Sequence, residues 1–252
     1  MRILLWLALS SGILGAAQAP NAEDIIRKSV AANERDFHAQ GDYNYKERDK
    51  DRGGAKLYQI TMIDGSPYQR LLAVNGKPVS GEMEKQRQAE AQRRAESSQQ
   101  RQDRIAKYKK DQARDYVMMS QLSKAFNFKL VGKSKVKGFN VYVLKATPRP
   151  GYQPPNMESQ VLPGMEGEMW IDQKTYQWVK VTAKVIRPVS IEGFLAQVQP
   201  GTRFEIEKAP VGGGIWQITH FAMRSKAKIL HFIDHASEED DTFFDFERAG
   251  AK

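Results

Sequence analysis

Tyr176-Gln177-Trp178-Val179-Lys180-Val181-Thr182-Ala183-Lys184-Val185-Ile186-Arg187 is the stretch whose reading decides the fold. Val179, Val181, Ala183 and Val185 fall on one side of it, and Trp178, Lys180, Thr182 and Lys184 on the other. Alternation with a period of two over this length marks a half-buried strand and not a helix. The same texture continues on both sides. Gln173-Lys174-Thr175 turns the chain back to a strand at Glu168–Asp172, and Arg203–Glu207 alternates cleanly. Gly212-Gly213-Gly214 reads as a hairpin turn into Ile215–Met223. Lys226–Ile233 and Thr242–Glu247 close the meander, joined by an acidic turn at Glu238-Glu239-Asp240-Asp241. The span from Gly164 to Phe246 is therefore read as antiparallel strands.

Upstream, Thr147–Pro163 holds five of the eleven prolines and is expected to be a long loop, disordered or a functional flap. Before it, Gly138–Ala146 is apolar on both faces, as a covered central strand would be, and Phe128–Val131 is a short strand ended by Gly132. Residues 81–126 change character. Glu82–Asp115 has ten basic and seven acidic residues and no Pro or Gly, a composition that propagates helix. Up to Arg104 its only large apolar residue is Met83, so this part is expected to project into solvent or fray. Met119, Leu122 and Phe126, spaced i, i+3, i+7, supply a stripe that docks on the sheet. Lys56–Ile63 and Tyr68–Val74 flank the turn Asp64-Gly65-Ser66-Pro67 as a hairpin, preceded by a strand at Asp42–Arg48. The first helix begins at the capping residue Asn21, turns Ile25, Ile26 and Val30 inward, and ends before Gly41.

Met1-Arg2, the apolar run Ile3–Gly15 and the small residues Ala16, Ala17 and Ala19 make a secretory signal peptide, residues 1–17. Cleavage after Ala17 is preferred to cleavage after Ala19, which would leave Pro20 beside the cut. The mature chain is thus expected in the periplasm. With no cysteine there is neither a disulfide nor a lipidated N-terminus, and a packed core has to hold the fold. The formal charge of +9 falls to +8 once Arg2 is removed. An exported basic protein meets anionic headgroups or cell-wall polymers, so a transient contact with a membrane surface is expected and nucleic acid is not. Lys129, Lys133, Lys135 and Lys137 could steer such a contact, or be ordinary solvated lysines.

Chemistry is poorly represented. There is no Cys, no Gly-x-Ser-x-Gly elbow and no phosphate-binding loop. His231 and His235 sit four apart in a segment read as strand, where that spacing is about 13 Å. Two such histidines do not share one metal, so no metal, no cofactor and no enzymatic activity are expected.

The order of parts carries a resemblance. An N-terminal helix, meandering strands and a helical segment precede Gly167-Glu168-Met169-Trp170-Ile171-Asp172, a tight turn and Tyr176-Gln177-Trp178-Val179-Lys180-Val181; Ile215-Trp216-Gln217-Ile218 and Thr242–Glu247 follow. This pattern resembles the periplasmic LolA, LolB and RseB group. The resemblance implies an α+β fold, a strongly curved antiparallel sheet or half-open β-barrel with helices packed on its concave face. It implies one domain over residues 18–252, with 81–126 a charged helical insertion and 147–163 a Pro-rich loop. It also implies a soluble, monomeric carrier or sensor for a lipid or an acylated protein, held in an apolar cleft. The residues expected to line that cleft are Val179, Val181, Ala183, Val185, Phe204, Ile206, Phe221 and Met223 from the strands, with Met119, Leu122 and Phe126 from the helix. The other reading is a protein–protein module of an envelope assembly or stress-sensing pathway, with helix 82–115 as the contact surface for an envelope protein.

Overall fold

A computed structural model of the chain describes residues 20–79, 83–191, 196–229 and 233–250. The signal-peptide reading, Phe194, Leu195 and His231 lie outside the described residues, as does the side chain of His235.

Helix α1 (Ala22–His38) starts where Asn21 Oδ1 accepts the Asp24 N–H at 2.8 Å. Strands β1 (Tyr43–Asp51), β2 (Gly54–Ile63), β3 (Ser66–Val74) and the two-residue β4 (Lys77–Pro78) follow. Helices α2 (Met83–Arg94) and α3 (Ser98–Ala125) come next, then β5 (Phe126–Val136) and β6 (Phe139–Pro148). A 3-10 segment at Glu158–Gly164 leads into β7 (Met165–Asp172) and β8 (Trp178–Val185). Short β9 (Val189–Ile191) and β10 (Ala196–Val198) precede β11 (Arg203–Gly212), β12 (Ile215–Ile229) and β13 (Ile233–Arg248).

The main sheet runs β4-β3-β2-β1-β13-β12-β11-β8-β7-β6-β5, with every pairing antiparallel. Its end strands β4 and β5 do not pair with each other, so the sheet stays open. The α+β class and the open antiparallel sheet are as the sequence leads one to expect. Ile25 and Ile26 of α1 pack on Tyr142, Leu144, Met169, Ile171 and Trp178, which fixes the inner face of the sheet. On the outer face charged residues pair across strands: Lys180 with Glu205 at 2.6 Å, Lys184 with Glu166 at 3.0 Å and Arg224 with Glu238 at 2.6 Å. Gly167 marks a close crossing of β7 and β8, since a Cβ there would run into the carbonyl oxygen of Thr182.

Several expectations are corrected. The register passes from Trp170↔Lys180 to Ile171↔Trp178, so Val179 is the extra residue of a bulge. The bulge breaks the alternation read from the sequence. Trp178 joins the core beneath α1, while Val179 packs with Val141 and Trp216. The charged segment is two helices and not one, because Ser97 and Gln100 form a capping box that starts α3. Nor does its early part stand free in solvent. Arg93 donates to Pro67 O at 2.7 Å and to Ser66 Oγ at 2.6 Å, and Arg104 to Ile63 O at 3.1 Å and to Ser66 Oγ. Val131 is the extra residue of a bulge inside β5, Gly132 pairs with Val143, and the turn comes at Lys137-Gly138. Glu238–Asp241 is not a turn but the middle of β13. The proline-rich stretch ends as the 3-10 segment, with Val161 and Leu162 buried against Phe126 and Met165.

Candidate functional site: an apolar cavity with one polar end

The inner face is not filled. A cavity of about 660 Å³ lies between it, α1, α3 and the 3-10 segment. A lateral row of cross-strand neighbours makes its floor: Met169↔Val181, Val181↔Ile206 and Ile206↔Phe221 are register partners. Next to it runs Gly167↔Ala183 and Ala183↔Phe204. The small side chain of Ala183 leaves room where a Val or Leu would fill it. Met119, Leu122 and Phe126 close the cavity from the helix side, and Leu162 and Met165 from the 3-10 side.

Of the eleven residues expected in the cleft, the structure brings Met119, Leu122, Phe126, Val181, Ala183, Phe204, Ile206 and Phe221 around this one space. Three do not line it. Val179 is turned away by the bulge, and Val185 is 2% exposed in the core with Met165 and Ala183. Met223 borders a second depression, lined mostly by paired charges such as Lys184, Glu205, Arg224 and Glu238.

The α1 end of the cavity is polar. Lys208 of β11 is 8% exposed, and its Nζ donates to Asn33 Oδ1 at 2.7 Å. Asp36 Oδ2 lies 4.0 Å from that Nζ and accepts the Trp216 N–H at 2.9 Å, while Asp36 Oδ1 takes Arg35 Nη2 at 3.1 Å. Burial pushes the Lys208 amine down to about 8; Asp36 opposes that shift and Arg35 adds to it. Trp178 and Gln217 complete this end. Reading the sequence for apolar surface alone misses all of these residues. Lys208 continues the inward positions Phe204 and Ile206, and Asn33 and Asp36 extend the stripe of Ile25, Ile26 and Ser29. That periodicity was the available signal.

Beyond Phe221, the inner row continues into acids. Asp241 lies opposite Phe221 and Asp49 opposite Asp241. Asp241 is 6% exposed, and burial followed by the charges of Glu239, Asp49 and Glu47 raises its carboxyl to about 7. Burial and the same acidic neighbourhood also raise Glu47. On the outer face Glu205, Glu207 and His220 place ligand-type atoms within 4.8 Å of one another. Lys180 Nζ already lies 2.6 Å from Glu205 and 3.6 Å from Glu207, and Lys137 also pairs with Glu207. Ammonium groups thus hold the place that a metal cation would take.

Among the described residues no helix is long and apolar enough to cross a membrane. No protein-family model and no curated protein matches the sequence. Solved structures resemble it in arrangement. One is a putative outer membrane lipoprotein-sorting protein domain from Vibrio parahaemolyticus, at 11% identity and a TM-score of 0.35, covering 90% of this chain and 94% of that one. A LolA superfamily protein from Nitrosomonas europaea follows at 11% identity and 0.34, covering 93% and 96%. The MucA/MucB complex of Pseudomonas aeruginosa gives 12% and 0.25, covering 89% and 100%. These likenesses concern the course of the chain alone.

Proposed function

We propose that this chain binds an acyl chain, of a lipid or of an acylated protein, in the inner cavity and carries or senses it in the periplasm without chemical change. One observation carries the reading: a space of about 660 Å³, bounded mainly by Val, Ile, Leu, Met and Phe side chains, is open where a globular protein places its core. Its floor residues Val181, Phe204, Ile206 and Phe221 are only half-buried, so apolar surface stays open to water, and an acyl chain lying on it would remove that surface from solvent. The volume lies in the usual range of small-molecule sites. In this reading the covers are the end of α3 from Met119 to Ala125, with Phe126 just beyond it, and the 3-10 segment behind the proline-rich stretch.

A neutral fluorophore such as N-phenylnaphthylamine should enter the cavity of the mature protein and be displaced by a long-chain lipid. Ala183→Phe fills the middle of the space without breaking the rest of the core. It should lower probe affinity by about tenfold or more while the far-ultraviolet dichroism and melting midpoint stay at or above those of the parent. A folded Ala183→Phe protein that binds the probe as well as the parent would sink the reading.

A further inference from the structure

Three nitrogen donors stand at the α1 end of the cavity with hydrogen-bonding capacity unspent. The Lys208 ammonium has three protons, one of which goes to Asn33. Trp178 Nε1 and Gln217 Nε2 are buried with no partner in the protein, their residues 9% and 4% exposed. All three residues line the cavity. The last turns of α1 draw their strands together there. Gln177, beside Trp178, donates to Ala32 O at 3.2 Å; Lys208 reaches Asn33; the N–H of Trp216, beside Gln217, reaches Asp36.

Charge points the same way. Asp36 answers the Lys208 ammonium only from 4.0 Å, and its other oxygen takes the exposed Arg35 at 3.1 Å, so the nearest carboxylate is shared. The other carboxylates bordering the cavity do not answer that ammonium. Glu166 is paired with Lys184 at 3.0 Å, and Glu168 is exposed. Two acceptor-capable atoms in this region also lack partners, Ser29 Oγ and Gln177 Oε1, but neither residue lines the cavity. The residues that line this end therefore carry an ammonium and two buried donors short of acceptors. Buried donors are nearly always satisfied in folded proteins, and an anion with several lone pairs satisfies these together.

We propose that Lys208, Trp178 and Gln217 form a seat for the anionic head, carboxylate or phosphate, of an amphiphile whose chain runs past Val181 and Ala183 toward Met165. This rests on the acyl-binding reading and adds the head group and the direction in which the ligand lies. A neutral chain end, an alcohol or an ester, would leave the Lys208 ammonium with no anion nearer than Asp36 at 4.0 Å.

The test displaces N-phenylnaphthylamine from the mature protein with hexadecanol, palmitate and palmitoyl lysophosphatidate, in the parent, in Lys208→Met and in Trp178→Phe. At neutral pH the parent should prefer an anionic competitor to the alcohol by about tenfold or more. Lys208→Met should bring that preference, read as the acid-to-alcohol ratio within each protein, close to one. Trp178→Phe keeps the ring and removes only the donor, so it should lower the preference severalfold, and it serves if Lys208→Met does not fold. Whichever of palmitate and lysophosphatidate binds tighter names the source of the anion. Equal displacement by acid and alcohol in the parent, or an acid preference that survives both substitutions, overturns the seat and leaves the cavity reading standing. A parent that takes up no probe overturns both.

Discussion

At the scale of the residue, Lys208 shows how much one buried amine can set. Its amine titrates near 8 in the folded chain, and in the unfolded chain at the ordinary 10.5. Between those values the unfolded chain holds more protons, so this residue's contribution makes stability rise with pH. The penalty is fully present below about 8 and gone above 10.5. Its size is on the order of 3 kcal/mol. Lys208→Met removes that penalty but takes the donor from Asn33, which costs about 1–2 kcal/mol in return. The variant should therefore be more stable than the parent at pH 7 by ~1 kcal/mol, and this advantage should shrink and then reverse as the pH approaches 10.5. Denaturant unfolding of both proteins across that range checks it. Buried Tyr45, whose hydroxyl is held above its usual value, destabilises both proteins alike at high pH and cancels in the difference. A gap that stays constant with pH would mean that burial does not shift the Lys208 amine from its ordinary value.

At the scale of the element, the α2–α3 corner is the clearest departure from what composition suggests. Arg104 is 17% exposed at its side chain, pairs with Glu96 at 2.9 Å and reaches the β2–β3 hairpin at Ile63 and Ser66. A helix standing free in solvent would treat Arg104 and Lys107 alike. In the structure Arg104→Ala should cost about 1–2 kcal/mol, since it takes the ion pair from Glu96 and a donor from Ile63 O while Arg93 still holds the Ser66 hydroxyl, whereas exposed Lys107→Ala should stay within about 0.5 kcal/mol. Equal melting midpoints for the two variants would return this segment to the free-helix picture. The corner was legible in part, because Ser97-x-x-Gln100 is a capping signature within the charged run. Its docking was not, because arginines that bond backbone carbonyls of a distant hairpin look like solvated arginines in sequence. The strand at Trp178–Val185 teaches the complementary lesson. Period two gave the strand and placed Val181 and Ala183 correctly, but one bulged residue exchanged the sides of Trp178 and Val179. Nothing local in Tyr176–Lys180 announces a bulge; it arises from pairing with Trp170 and Ile171.

At the scale of the whole molecule, an open sheet has two edges, and each has to avoid pairing with another copy. One edge is β4, only Lys77–Pro78, where proline offers no N–H. The other is β5, eleven residues long, which exposes Lys129, Lys133 and Lys135 and is interrupted by the bulge at Val131. Val131 itself is 51% exposed, so the strand is not protected by polarity throughout. Charge repulsion along the strand and the bulge together would keep a second β5 from aligning against it. Replacing Lys129, Lys133 and Lys135 by Thr keeps strand propensity and removes the charge. The triple variant should elute from a sizing column as concentration-dependent dimers or larger species, with light scattering giving the mass, while the parent stays a monomer. The same protein separates the two roles open to these lysines. If they guard the edge, self-association appears whether or not lipid is present. If they steer the chain to anionic headgroups, the variant remains monomeric and loses affinity for vesicles containing phosphatidylglycerol, with the loss greatest at low salt.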